Sequence, residues 1–300
     1  NIVPWPNEFF LRFPSFFFSA CSIFLFYKLA KYLFDQKTAL MSSFILSLSP
    51  FHIWYAQEAR SYSLYVFEVL AVTYILLKAL EEDRLKLWVS FIVLAVAGLY
   101  TNYFVLFLFV AQFCILISVR KYRKRIIRWL RSCAVVFFAF FPALIKLYQK
   151  TAFVKEGLWW INLKPTLQTI FISFKNFLVG YNASPNLFIP VALLLLLLTS
   201  SGFYYLFKER RDVLKILLSL GLVPILVAFL VSRAGIFIYL DRQLMAFSPF
   251  YYMILAFGVV RLPRRAHKVI VIVIYLFFVG LSLSNYYRDI MPSGFVYHVG

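Results

Sequence analysis

Ten apolar runs, most of them close to the length that crosses a bilayer, are spaced along this chain, and its cations gather in every second gap between them. The runs are 14–34, 38–56, 62–80, 86–101, 103–119, 131–147, 186–207, 213–231, 244–261 and 268–284. A spanning helix needs about 20 apolar residues, fewer where a segment is short or re-entrant. The pair 86–101 and 103–119 is short enough to form one re-entrant hairpin. Hydrophobic residues make up 63% of the 300 residues and charged ones 14%, more apolar surface than a soluble domain of this size can cover. The pattern predicts an all-α fold: a polytopic transmembrane helix bundle of about ten spans, forming a single domain over residues 1–300.

The formal net charge of +19 invites a nucleic-acid reading, but its distribution argues against one. Lys28, Lys31 and Lys37 share one side with Lys78, Arg84 and Lys86. So do the cluster from Arg120 to Arg131, then Lys208, Arg210, Arg211 and Lys215, then Arg261, Arg264, Arg265 and Lys268. The positive-inside rule assigns such connections to the cytoplasm. The run 120–125 then faces anionic inner-leaflet lipid, and no nucleic-acid partner is expected. The opposite, extracytoplasmic side carries the Gln57–Tyr62 turn, the Thr101–Asn102 turn, the long 148–185 connection, the 232–243 connection and the C-terminal tail. A multi-pass protein of the cell (inner) membrane follows, with its active face extracytoplasmic.

Several chemistries find no support. Cys21, Cys114 and Cys133 fall in or beside apolar runs at spacings that match no metal pattern, and an odd count argues against a disulfide framework. There is no phosphate loop, dinucleotide fingerprint, paired-histidine metal motif or serine elbow. No metal site and no cofactor are predicted; dependence on a divalent cation is left open.

The polar groups worth weighing sit on the extracytoplasmic side. In 52–62 the chain packs His52, Trp54, Tyr55, Gln57, Glu58, Arg60 and Tyr62 between two apolar runs. Ionisable groups beside hydrocarbon are costly and are usually functional. Arg60 and Arg242 suit a phosphate, because the guanidinium presents several donors in a planar fork. Glu58, Asp241, Gln57, Asn102, Tyr55 and Tyr62 suit a polar substrate. Each has a plainer reading. Arg60 can snorkel, Glu58 can merely orient Arg60, and Asp241 and Arg242 can form a structural pair at a helix N-terminus. Ser61, Tyr65 and Glu68 share one helical face, with Glu68 about two turns deep, and Glu68 reads best as an interspan hydrogen-bonding group. His52 reads as a packed residue. Tyr100 and Tyr103 read as interface belt residues and the Asn182–Ser184 sequon as chance. In 165–179, Leu167, Ile170, Phe171, Phe174, Phe177 and Leu178 recur at helical spacing, which predicts an interfacial amphipathic helix anchored by Trp159 and Trp160.

Taken in order, four elements carry a resemblance: Phe10-Leu-Arg-Phe-Pro-Ser15, Ser49-Pro-Phe-His-Ile-Trp-Tyr-Ala-Gln-Glu-Ala-Arg-Ser-Tyr62, Leu99-Tyr-Thr-Asn-Tyr-Phe104, and Asp241-Arg242 with Pro249. The chain resembles family-39-type glycosyltransferases of the GT-C superfamily, relatives of the dolichyl-phosphate-mannose–protein mannosyltransferases and the lipid A aminoarabinose transferases. The resemblance implies a membrane enzyme that moves a sugar from a polyprenyl-phosphate donor to a glycan, lipid or protein acceptor outside the membrane. It also implies a catalytic carboxylate in a first extracytoplasmic loop that follows a first span. Neither is present here, so the expected catalytic Asp lies upstream of Asn1 and the fragment is expected to be inactive alone. Two departures from the family pattern stand out: Asn102 replaces a frequent His, and Gln243 replaces the Tyr that follows the late Arg. The rival functions are a transporter or lipid flippase without covalent chemistry, and a non-catalytic scaffold of a glycan-assembly complex.

Overall fold

The computed structural model describes residues 8–154, 164–181 and 188–288, and all regular structure among them is helical. In chain order the helices are α1 (Glu8–Leu33), α2 (Gln36–Leu48), α3 (Pro50–Ala56), α4 (Tyr62–Glu82), α5 (Leu85–Thr101), α6 (Val105–Ser118) and α7 (Ile126–Val154). They continue with α8 (Leu167–Val179), α9 (Phe188–Glu209), α10 (Arg211–Gly221), α11 (Val223–Arg233), α12 (Asp241–Leu244), α13 (Ser248–Arg261) and α14 (Arg265–Tyr287). Seven stretches are long and apolar enough to cross a membrane: 9–33, 62–82, 120–145, 189–209, 211–233, 241–261 and 265–287. The other three apolar runs form α2 with α3, α5 and α6. The chain is a polytopic all-α bundle.

Prolines explain where the runs break. Pro50 has no N–H to continue a helix, so α2 stops at Leu48 and α3 restarts with Pro50 in its first turn. Pro224 does the same between α10 and α11, which TM-length hydropathy treats as one span.

Two polar ends define the axis. At the basic end, Glu81 accepts from Lys121 (2.8 Å) and Tyr122 (3.0 Å), joining α4 to the turn before α7. Asp83 closes α4 in the left-handed conformation (φ 55°) and accepts from Trp88 (3.0 Å) and Arg128 (2.8 Å), with Arg125 against its other oxygen. Glu209 accepts from Arg261 (2.9 Å), which also lies 3.8 Å from Asp35. Lys215 donates to the Ser118 carbonyl. At the opposite end, Ser15, Arg60, Asn102, Gln243, Asp241, Ser173, Gln57 and Tyr287 are tied across helices.

This division locates the ends of the short pair. The α5 helix starts beside Asp83 at the basic end and α6 ends at Ser118 there, while the turn between them meets Gln243 at the opposite end. Both helices, about 25 and 21 Å long, are shorter than a full span, and both have their outer ends at the basic end. Their turn is recessed: Thr101 bonds Glu68, about two helical turns below the start of α4.

The core runs through α4 and α13, the two most buried spans. The α9 and α13 helices meet at glycine. A Cβ on Gly202 would fall 2.1 Å from the Ile254 carbonyl oxygen, and one on Gly258 would fall 2.7 Å from the Gly202 nitrogen. Small residues let helix backbones approach this closely where lipid supplies no hydrophobic drive.

The predicted interfacial segment is α8, opened by a reciprocal Thr166–Thr169 capping box. Leu167 and Phe171 face outward, while Ser173, Asn176 and Phe177 are buried. Ser49 (2.8 Å) and Tyr252 both donate to the Phe177 carbonyl, pinning α8 over α3 and α13. Gly180 leaves the helix at φ 74°, where an added Cβ would sit 3.0 Å from Pro50. Trp159, Trp160 and the Asn182–Ser184 sequon lie outside the described residues.

Candidate functional site

Most of the anticipated polar residues gather at the end opposite the basic one. The α3–α4 turn brings four of them. Gln57 caps α3 and donates to the Tyr287 hydroxyl (3.1 Å). Glu58 accepts from the Trp54 indole (3.0 Å) and stays within electrostatic reach of Arg60. Arg60 is exposed and hydrogen-bonded to Tyr62, which raises its pKa above the ordinary value against a smaller opposing effect of desolvation. Its carbonyl accepts from Ser15 on α1, and its side chain lines a recess of about 240 Å³ against that helix. Tyr55 and Tyr62 are buried with their rings edge to face at 5.0 Å, and the Tyr55 hydroxyl lies 3.4 Å from that of Tyr181.

The α12 helix brings the second group, and its three polar residues differ in role. Asp241 accepts from Ser173 (2.5 Å) on one oxygen and from Asn176 (2.6 Å) on the other. That commits the carboxylate to holding α8 in place. Arg242 is half-buried, feels Tyr55 electrostatically, and its Nε has no hydrogen-bond partner among the described residues. A desolvated donor of this kind is costly unless something accepts from it. Gln243 accepts from the Asn102 amide (2.9 Å) and its carbonyl accepts from Tyr65 (3.2 Å). Asn102 and Gln243 are thus hydrogen-bonded to each other. Beneath them Glu68, only 6% exposed, accepts from Thr101 (2.9 Å) on one oxygen while the other lacks a partner among the described residues. The anticipated interspan role of Glu68 is present, through Thr101. His52 is packed as expected, 2.8 Å from Ser248.

Sequence reasoning passed over Lys175. It sits on α8 and lines an apolar groove of about 560 Å³ between α8, α9, α10 and α13. Phe171, Leu196, Phe203 and Leu217 are among its walls. Burial lowers the Lys175 pKa and the nearby Asp241 opposes that shift. The signal was available: Lys175 is the single cation within the apolar period of 165–179. Ser173 and Asn176 were also missed, because partners so far from Asp241 in sequence emerge only when α8 folds back. Tyr239 lies 2.9 Å from Ser173, and burial raises its pKa. No group of three or more His, Cys, Asp or Glu suited to a metal occurs among the described residues.

An all-helical, multi-pass membrane protein with a recessed polar cluster at one end of its bundle is the class that fold and site define. Residues 5–145 match the dolichyl-phosphate-mannose-protein mannosyltransferase family, and this match supports a GT-C-like membrane glycosyltransferase. The matched stretch includes the α3–α4 turn and the Thr101–Asn102 turn. A search of curated proteins found no match.

Proposed function

We propose that this protein transfers a sugar from a polyprenyl-phosphate donor to an acceptor at the end of the bundle opposite the basic cluster, the extracytoplasmic face. What supports this reading is an apolar groove lined by Lys175, the electrostatic contact of Lys175 with Asp241, and the next residue, Arg242, whose buried Nε has no hydrogen-bond partner among the described residues. A long isoprenoid chain fits an apolar channel between spans, and its phosphate fits cations at the channel's polar end. In this arrangement Arg242 takes the leading phosphate role in place of Arg60, because Arg60 is exposed and the Arg242 Nε is buried. We assign Tyr55, Tyr62, Asn102 and Gln243 to the sugar side of the site.

The reaction is a displacement at the anomeric carbon. The acceptor hydroxyl oxygen bonds to that carbon and gives its proton to a base. The bond from carbon to the phosphate oxygen breaks, and polyprenyl phosphate leaves with the electron pair. A single displacement inverts the anomeric centre. Negative charge grows on the leaving phosphate, so fixed donors there lower the barrier. We assign Lys175, Arg242 and Arg60 to the leaving-group side of this reaction. Asp241 positions α8, and Glu58 positions the α3–α4 turn through Trp54.

The test is transfer of labelled sugar from a polyprenyl-phosphate donor by membranes containing the protein. The reading predicts a labelled product with inverted anomeric configuration, and loss of at least tenfold in rate for Arg242→Ala. Movement of intact donor across vesicles without a new glycosidic product would instead indicate a transporter or flippase.

A further inference from the structure

A second groove lies at the basic end, far from the proposed donor site. It opens between α5 and α7, has a volume of about 510 Å³, and has Val89, Ile92 and Val135 on its apolar floor. Lys124, Arg128 and Arg131 line its polar mouth, and no acidic residue lines it. Lys124, in the turn before α7, and Arg128 and Arg131, on α7, bring three like charges to one mouth, where they repel one another. Arg128 is fixed: it donates to the Asp83 carboxylate (2.8 Å) and lies 5.7 Å over the Trp88 ring. Lys124 and Arg131 are exposed and have no hydrogen bond or ion pair among the described residues.

We infer that this groove is a binding site for an anionic membrane phospholipid, with its phosphate between Lys124 and Arg131 and one acyl chain along Val89, Ile92 and Val135. From Lys124 to Val135 the groove follows about 16 Å of chain, from charged mouth to hydrocarbon-facing floor. Two features select the occupant. The concentrated positive charge matches an anionic headgroup, and basic pockets between spans on this kind of face suit such lipids. The floor matches an acyl chain, since Val89 and Val135 are about half exposed in the protein alone. A free phosphate satisfies only the mouth. The site is independent of the donor groove, so neither assignment stands or falls with the other.

The experiment is native mass spectrometry of the detergent-purified protein after exchange with phosphatidylglycerol or phosphatidylcholine at equal mole fraction. The expected result is retention of one phosphatidylglycerol and not of phosphatidylcholine. Lys124→Gln with Arg131→Gln should lower that retention at least tenfold. Arg264→Gln with Arg265→Gln removes the same charge at the same end but outside the groove, and should retain the lipid. Val89→Trp fills the floor while leaving all cations, and should also lower retention. Equal retention of the two lipids would overturn the site. So would equal loss in the two charge variants, or full retention by both Val89→Trp and the Lys124/Arg131 variant. Displacement of the lipid by inorganic phosphate alone would reduce the site to a simple anion site and overturn the acyl-chain assignment.

Discussion

The two arginines differ in desolvation, and this difference separates their expected effects. Arg242→Ala should reduce transfer by one to two decades, because a charge-assisted contact to the leaving phosphate contributes roughly 1.5–3 kcal/mol. Arg242→Lys should restore only part, since an ammonium cannot reproduce the fork. Arg60→Ala should have a smaller effect, because its guanidinium is exposed and already engaged by Tyr62. Initial rates with labelled donor check all three. Asn102 and Gln243 form one unit, so Asn102→Ala and Gln243→Ala should be non-additive: the double variant should lose little more than either single one. Additive losses would mean that the two act separately. At this scale the sequence revealed which residues were polar in an apolar setting, including Arg60, Asn102, Asp241 and Arg242. It did not reveal that Asp241 is consumed by Ser173 and Asn176, which depends on where α8 folds, or that the Arg242 Nε has no partner among the described residues.

Among the elements, α8 and the α9–α13 contact carry the clearest mechanical roles. Asp241→Asn should weaken the hold on α8 and lower donor affinity with little global unfolding. Protease accessibility of 164–181 would report the release. Gly202→Ala should be strongly destabilising, because the Ile254 backbone that blocks the new methyl cannot move without parting α9 from α13. Asp83→Asn keeps a residue type tolerated at positive φ while removing the charge, and should cost about 1 kcal/mol in thermal or denaturant stability. Burial raises the Asp83 pKa, but the Trp88 hydrogen bond and the charges of Arg125 and Arg128 outweigh it, so the folded value is depressed. Its stabilising contribution is therefore present above the ordinary carboxylate range and is lost as pH falls through the depressed folded value. The helix type and length of these elements were legible from apolar periodicity. The breaks at Pro50 and Pro224 were legible in principle, because proline ends a hydrogen-bond ladder, yet hydropathy alone runs 38–56 together.

For the whole molecule, charge placement was the most informative part of the sequence. Alternating cationic gaps predicted about ten crossings; among the described residues seven stretches are long and apolar enough to cross a membrane. The other three runs, 38–56, 86–101 and 103–119, form shorter helices. The grooves were not legible, since each is a gap between helices distant in sequence. The face of each end remains a prediction. A cysteine introduced at Ser61 or Thr166 should react with a membrane-impermeant thiol reagent from outside in intact cells, and one at Arg123 should react only after permeabilisation. The reverse pattern would invert the topology.

The central claim is that the donor lipid occupies the α8–α9–α10–α13 groove with its phosphate at Lys175 and Arg242. It is tested most directly by irradiating the membrane-embedded protein with a photoactivatable polyprenyl-phosphate sugar and mapping the labelled peptides. The account predicts saturable labelling of α8 and α9 around Phe171 and Leu196, competed by unlabelled donor and lost in Arg242→Ala. Competable labelling confined to the recess of α1 beside Arg60, unchanged in Arg242→Ala, would contradict it.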